Sequence, residues 1–143
     1  MNWIAPYRNH IMKHLKYLEE NSFSLIGEDD FSLTFNDGNI LLVFTVERYS
    51  DSLSVWVEYL GNNPVDDNKY RLDIIMRLYL QKDMRDAFNG TSDEDKARLV
   101  KNYVDFVLNN KAQLFGKLFP LAKEYHEFNK KIALSALERF AKK

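Results

Sequence analysis

Residues 31–60, FSLTFNDGNILLVFTVERYSDSLSVWVEYL, alternate apolar and polar side chains for most of their length, broken at two turn-rich points. Successive side chains of a strand point to opposite faces, so the run predicts three consecutive antiparallel strands. Asp37-Gly38, flanked by Asn36 and Asn39, is a two-residue hairpin signal, because a type I′ turn needs positive φ at both central positions. That turn pairs Phe35 with Ile40, Leu33 with Leu42 and Phe31 with Phe44. The second turn, Tyr49-Ser50-Asp51-Ser52, pairs Arg48 with Leu53, Val46 with Val55, Phe44 with Val57 and Leu42 with Tyr59. Both assignments gather one apolar face: Phe31, Leu33, Phe35, Ile40, Leu42, Phe44, Val46, Leu53, Val55, Val57 and Tyr59. A slip of one residue would scatter it. This is the expected core face.

The opposite face is mixed. It carries Ser32, Thr34, Leu41, Val43, Thr45, Glu47, Tyr49, Ser54, Trp56, Glu58 and Leu60. The pairing places Trp56 opposite Thr45, with Glu47 and Glu58 nearby. An aromatic residue among carboxylates is a common composition for a protein-binding surface. The alternative is that the long C-terminal helices cover part of this face and make Trp56 a core residue.

The flanking segments read as helix. In residues 2–20, Ile4, Tyr7, Ile11, Leu15 and Leu18 follow the spacing of one buried helix face, with Pro6 in the first turn, where proline is tolerated. His10 and His14 lie one turn apart, a spacing that can bind metal. No ligand pattern follows them, and they read as surface histidines. Phe23 and Leu25 suggest a short extra strand over residues 22–26. After the loop Gly61-Asn62-Asn63-Pro64, Asp66-Asp67 begins a helix with Tyr70, Ile74 and Leu78 on one stripe, ending between Gln81 and Asp86. Ser92 with Asp95 resembles a capping box and starts a helix whose stripe is Val100, Tyr103, Val104, Val107, Leu108, Leu114, Phe115 and Leu118. Phe106 falls beside this stripe, either widening the buried face or awaiting another chain. Pro120 interrupts or kinks that helix at Phe119. A final helix carries Leu121, Tyr125, Phe128, Ile132 and Phe140. The fold expected is α+β: an N-terminal helix, an antiparallel meander of three to four strands, then three C-terminal helices packed on the sheet, in one domain over residues 1–143.

Composition narrows the function. The chain of 143 residues has no cysteine, which removes disulfides, thiol nucleophiles and thiolate metal sites. Its five glycines are isolated, so no Gly-rich phosphate loop is present. G-x-S-x-G, H-E-x-x-H and the calcium-binding loop pattern are also missing. The acidic pairs sit beside turns and helix starts, where capping explains them. No catalytic, cofactor-binding or metal-binding residues emerge, and an enzyme is not expected. The N-terminus lacks the pattern of a signal peptide, and no apolar run matches the roughly 20 residues of a membrane span, so a cytoplasmic protein without a membrane partner is expected. The net charge of −1 hides an asymmetry: residues 22–67 carry nine acids against Arg48 alone, a net −8, whereas residues 111–143 carry eight bases against three acids, a net +5. With a pI near 6.3, the acidic sheet region disfavours nucleic acid and favours a basic protein partner.

The N-terminal helix followed by FSLIGEDDFSLTF and ERYSDSLSVWVEY resembles small cytoplasmic immunity-type proteins of bacterial toxin systems, including those of polymorphic toxins and contact-dependent inhibition. The resemblance covers about residues 1–60. It implies an antiparallel sheet with flanking helices that binds and inactivates a cognate toxin, with no catalytic residues. Independently of the resemblance, face and charge select Glu47, Tyr49, Asp51, Trp56 and Glu58 as the partner-binding set. The expected function is a non-enzymatic toxin inhibitor, acting on a basic toxin such as a nuclease. The alternative is a self-associating structural or regulatory protein. Either a monomer or a homodimer fits the sequence.

Overall fold

A computed structural model describes residues 2–47, 52–61, 69–81 and 92–141. The chain opens with α1 (Ala5–Met12) and α2 (Leu15–Glu20). These replace a single helix over residues 2–20, because His14 N–H bonds to the carbonyl of Ile11, three residues back, which tightens the helix there. A Schellman arrangement ends α2: Phe23 N–H reaches Leu18 O and Ser22 N–H reaches Glu19 O, with Ser22 left-handed at φ 73°.

Five strands follow in meander order: β1 (Ser24–Glu28), β2 (Ser32–Asn36), β3 (Ile40–Val46), β4 (Leu53–Tyr59) and β5 (Lys69–Arg71). All neighbours are antiparallel. The fold is the expected α+β, with five strands rather than three to four. Asp66 and Asp67, the expected helix start, lie outside the described residues. Tyr70, assigned from sequence to that helix, is the central residue of β5.

Both hairpin registers differ by two residues from the sequence reading. Phe35 pairs with Leu42 and Leu33 with Phe44; Val46 pairs with Leu53, Phe44 with Val55 and Ile40 with Tyr59. The reason at the first turn is side-chain capture of the backbone. Asp37 Oδ1 accepts from the N–H groups of Asn39 and Ile40, each at 2.9 Å, and Asn36 Oδ1 accepts from Gly38 N–H at 2.8 Å. The tip thereby becomes Gly38-Asn39, with Gly38 at φ 93° in the first central position, as in a type II′ turn. The second connection runs over residues 47–52. An offset of two preserves the parity of each strand, so the faces survive. The whole expected core face is buried except Phe31, which is 36% exposed and stacks on Trp3 at 6.5 Å.

The helices gather on that core face. α3 (Leu72–Leu80) ends at a left-handed Gln81. α4 (Asp93–Asn109) starts with the expected capping box: Ser92 Oγ accepts from Asp95 N–H, and Asp95 accepts from Ser92 N–H. α4 ends well before Pro120, where Asn110 Nδ2 caps the carbonyl of Phe106. The short α5 (Lys111–Leu114) and α6 (Ala122–Ala141) complete the chain. The stripe read as one helix is therefore divided between α4, α5 and a linker. Phe106 is 6% exposed, packed edge-on between Tyr79 and Phe115, which resolves it as core. His10 also departs from the sequence reading: it is 7% exposed, with Nε2 2.8 Å from Asp93 Oδ1, and so ties α1 to the start of α4.

Three acids of the negative segment have partners within the chain. Glu28 binds Arg8; Asp29 accepts from Phe31 N–H and Ser32 Oγ; Asp37 lies 3.3 Å from Lys111 Nζ. Hydrogen bonds from Arg8 hold the Glu28 carboxyl below its ordinary range, and the N–H of Phe31 does the same for Asp29. His10 lowers Asp93, and Ser92 lowers Asp95. A carboxylate with a depressed folded pKa contributes stability above its unfolded value, about 4, and loses it as pH falls through the folded value. His14, lowered by desolvation, acts in the same direction, beginning below its ordinary value of about 6.5. Unfolding free energy is expected to be flat near neutrality, to decline gently below pH ~6.5 and to fall steeply below pH ~4. Urea titrations across that range check this; a profile unchanged down to pH ~3 would contradict it.

Candidate protein-binding surface

The sheet face opposite the helices is ordered by the observed register. One row across it runs Thr34, Val43, Trp56, Arg71. The next runs Asn36, Leu41, Glu58, Lys69, and a third runs Ser32, Thr45, Ser54. Trp56 thus sits opposite Val43, not Thr45, because the register is offset by two. Leu41, Val43, Thr45, Trp56 and Glu58 are half-buried, whereas Glu47, Leu60, Lys69 and Arg71 are exposed. Leu41, Val43 and Trp56 stand outside the hydrophobic core formed between sheet and helices. Among the described residues, Trp56 is therefore a half-buried residue outside that core and not the core residue of the helix-covered alternative.

Neighbours orient this tryptophan. Val43 and Arg71 flank it across strands, and Lys69 Nζ lies 4.9 Å from the ring centroid, a cation–π contact worth about 0.5–1 kcal/mol at an exposed site. Arg71 is itself turned by a bidentate pair to Asp73, at 3.1 and 2.8 Å. The face therefore presents a rigid aromatic and two aliphatic side chains, with Glu58 and the cations of β5 beside them and Glu47 further along, past the end of β3. Of the five residues selected from sequence, the structure places Trp56 and Glu58 together on β4 and Glu47 just past the end of β3. Tyr49 and Asp51 lie outside the described residues. Sequence reasoning missed Lys69 and Arg71, since a three-residue strand carries too little alternation to be recognised.

A second cluster lies on the helix side. Tyr70 contacts Tyr59, Phe119, Tyr125 and His126, with centroid separations of 5.8, 4.6, 4.9 and 6.0 Å. A cavity of about 160 Å³ opens beside it, lined in part by Gly61, Lys117 and Leu118. That is well below the roughly 300–1,000 Å³ of a usual ligand pocket. Tyr59 donates to Leu114 O at 2.5 Å, and Tyr125 Oη accepts from Arg71 N–H at 2.9 Å. Burial pushes the Tyr59 hydroxyl strongly upward, so it stays a protonated donor and not a base. These contacts join β4 to α5 and β5 to α6. Tyr59→Phe would leave the Leu114 carbonyl unpaired and is expected to cost about 1–3 kcal/mol in urea unfolding. A loss under about 0.5 kcal/mol would contradict that role.

Among the described residues, no three His, Cys, Asp or Glu side chains converge on a metal-sized site, and no helix is long and apolar enough to cross a membrane. Among the described residues, fold and surface together define an α+β protein with helices on one sheet face and Trp56 on the other. Comparison of the chain with protein-family models, curated proteins and solved structures finds no match.

Proposed function

We propose that this chain is a non-enzymatic protein-binding module, an immunity-type protein that neutralises a cognate bacterial toxin in the cytoplasm. The observation that carries the reading is the sheet face opposite the helices, where half-buried Trp56 lies beside Leu41 and Val43, with Glu58 next to it and Glu47 on the same face four residues along from Val43. A rigid aromatic anchor on a strand, with polar groups around it, has the composition of an interface hot spot. Glu47 and Glu58 favour a partner with a basic patch, as a nuclease would have. They do so less strongly than the sequence charge suggests, because Lys69 stands directly across from Glu58 and because Glu28 and Asp37 are already paired within the chain. The reading requires no cofactor, metal, nucleic acid or lipid.

The test is affinity capture from lysate of the source cells, with the recovered protein identified by mass spectrometry and assayed for toxicity. The expected result is one stoichiometric partner whose activity disappears when this protein is added in equal amount. Recovery of this chain alone, or of a partner whose activity it leaves intact, would overturn the proposal. Self-association, the second reading, draws on a different surface, the exposed half of α6.

A further inference from the structure

The first half of α6 is held by the body of the protein. Tyr125 is buried, and Phe128 is half-buried with Arg77 stacked 4.8 Å from its ring centroid. Beyond it the helix leaves the body: every described side chain over residues 129–138 is exposed. At about 100° per residue, Leu134 and Leu137 lie on a side of α6 turned away from Tyr125 and Phe128. They are 51% and 64% exposed. An amphipathic helix normally buries its one apolar side. Here the side that packs on α3 is already used, and a second apolar seam remains.

The charges beside that seam identify what fits it. Lys131 and Glu138 are seven residues apart, two turns, so they occupy one edge of the Leu134/Leu137 seam with opposite signs. Over α6 the bases Lys123, Lys130, Lys131 and Arg139 exceed the acids Glu124, Glu127 and Glu138 by only one, so the helix does not select a strongly charged foreign partner. An antiparallel second copy would set Leu134 beside Leu137 of that copy and bring Lys131 against its Glu138, twice by symmetry. A parallel copy would leave Lys131 and Glu138 on opposite edges of the interface, without that pairing.

We infer that α6 is a self-docking element through which two copies of this chain pair as an antiparallel, two-fold dimer along the Leu134/Leu137 seam. The docked stretch, Lys131 to Glu138, spans little more than one heptad, so the dimer is weak and reversible and forms only at high protein concentration.

Sedimentation velocity of the full chain from about 10 to 500 µM tests it. The expected result is a concentration-dependent dimer that Leu134→Asp with Leu137→Asp renders monomeric, with circular dichroism unchanged because both side chains are exposed. Glu138→Lys is expected to weaken the dimer by leaving two lysines facing each other, and Lys131→Glu with Glu138→Lys to restore it. A wild-type chain that stays monomeric at about 500 µM would overturn the inference. So would a dimer indifferent to the leucine changes, or a charge swap that fails to restore association.

Discussion

Asp37→Ala is expected to destabilise the protein by about 3–5 kcal/mol, a large fraction of the roughly 5–15 kcal/mol available to a domain. The Asp37 side chain has no exposed surface. It accepts from two N–H groups of its own turn and faces Lys111 Nζ at 3.3 Å. That ammonium also donates to Asn21 O at the end of α2 and lies 5.0 Å from the Phe23 ring centroid. One buried charge pair therefore pins the β2–β3 turn to the α2 terminus and to α5. Removing the carboxylate strands a largely buried cation and frees two turn donors, the situation in which a lost partner costs most. Lys111→Met is expected to be damaging for the converse reason. Asp37→Ala with Lys111→Met should cost less than the sum of the two single changes, because neither charge is then left alone. Chemical denaturation of the four proteins measures this; a loss under about 1 kcal/mol for Asp37→Ala would contradict the clamp.

Trp56→Ala is expected to weaken partner binding by about 2–4 kcal/mol, roughly 30- to 1,000-fold, while leaving unfolding nearly unchanged. The separation of the two effects follows from position. Trp56 lies outside the core, and its intramolecular support comes from Lys69 and its cross-strand neighbours Val43 and Arg71. A partner that covered the ring would desolvate it fully and gain its whole apolar area. Charge reversal of Glu47 and Glu58 together should act differently, slowing association and changing its salt dependence more than the dissociation rate. Titration calorimetry with stopped-flow kinetics distinguishes the two. Equal affinity for wild type and Trp56→Ala would remove the open face from the interaction.

The alternation in residues 31–60 made the two faces legible because it depends only on parity. The pairing was not legible to the residue, because Asp37 can end the hairpin in more than one way. Its carboxylate binds the N–H groups of Asn39 and Ile40 and moves the tip one residue forward, a choice that propensity for Asn-Gly or Asp-Gly turns does not contain. β5 was hidden by its length, and Tyr70 was assigned to a helix because a residue at i, i+4 from Ile74 satisfies the helical period regardless of what pairs with β4. His10 was misplaced for a different reason. It is buried where α1 packs on α4, and its partner Asp93 is 83 residues away, so no local pattern announces such a contact. On the candidate surface, Trp56 and Glu58 were readable from strand parity, whereas the cations of β5 that adjoin them depended on a tertiary pairing.

The most direct test of the open face as the binding surface is fluorescence of Trp56 in a Trp3→Phe protein, titrated with the captured partner. The emission then comes from Trp56 alone, since the chain has two tryptophans. The expected result is a blue shift that saturates at one equivalent, as the ring passes from a half-exposed to a dry environment. Full complex formation with the emission of Trp56 unchanged would contradict it.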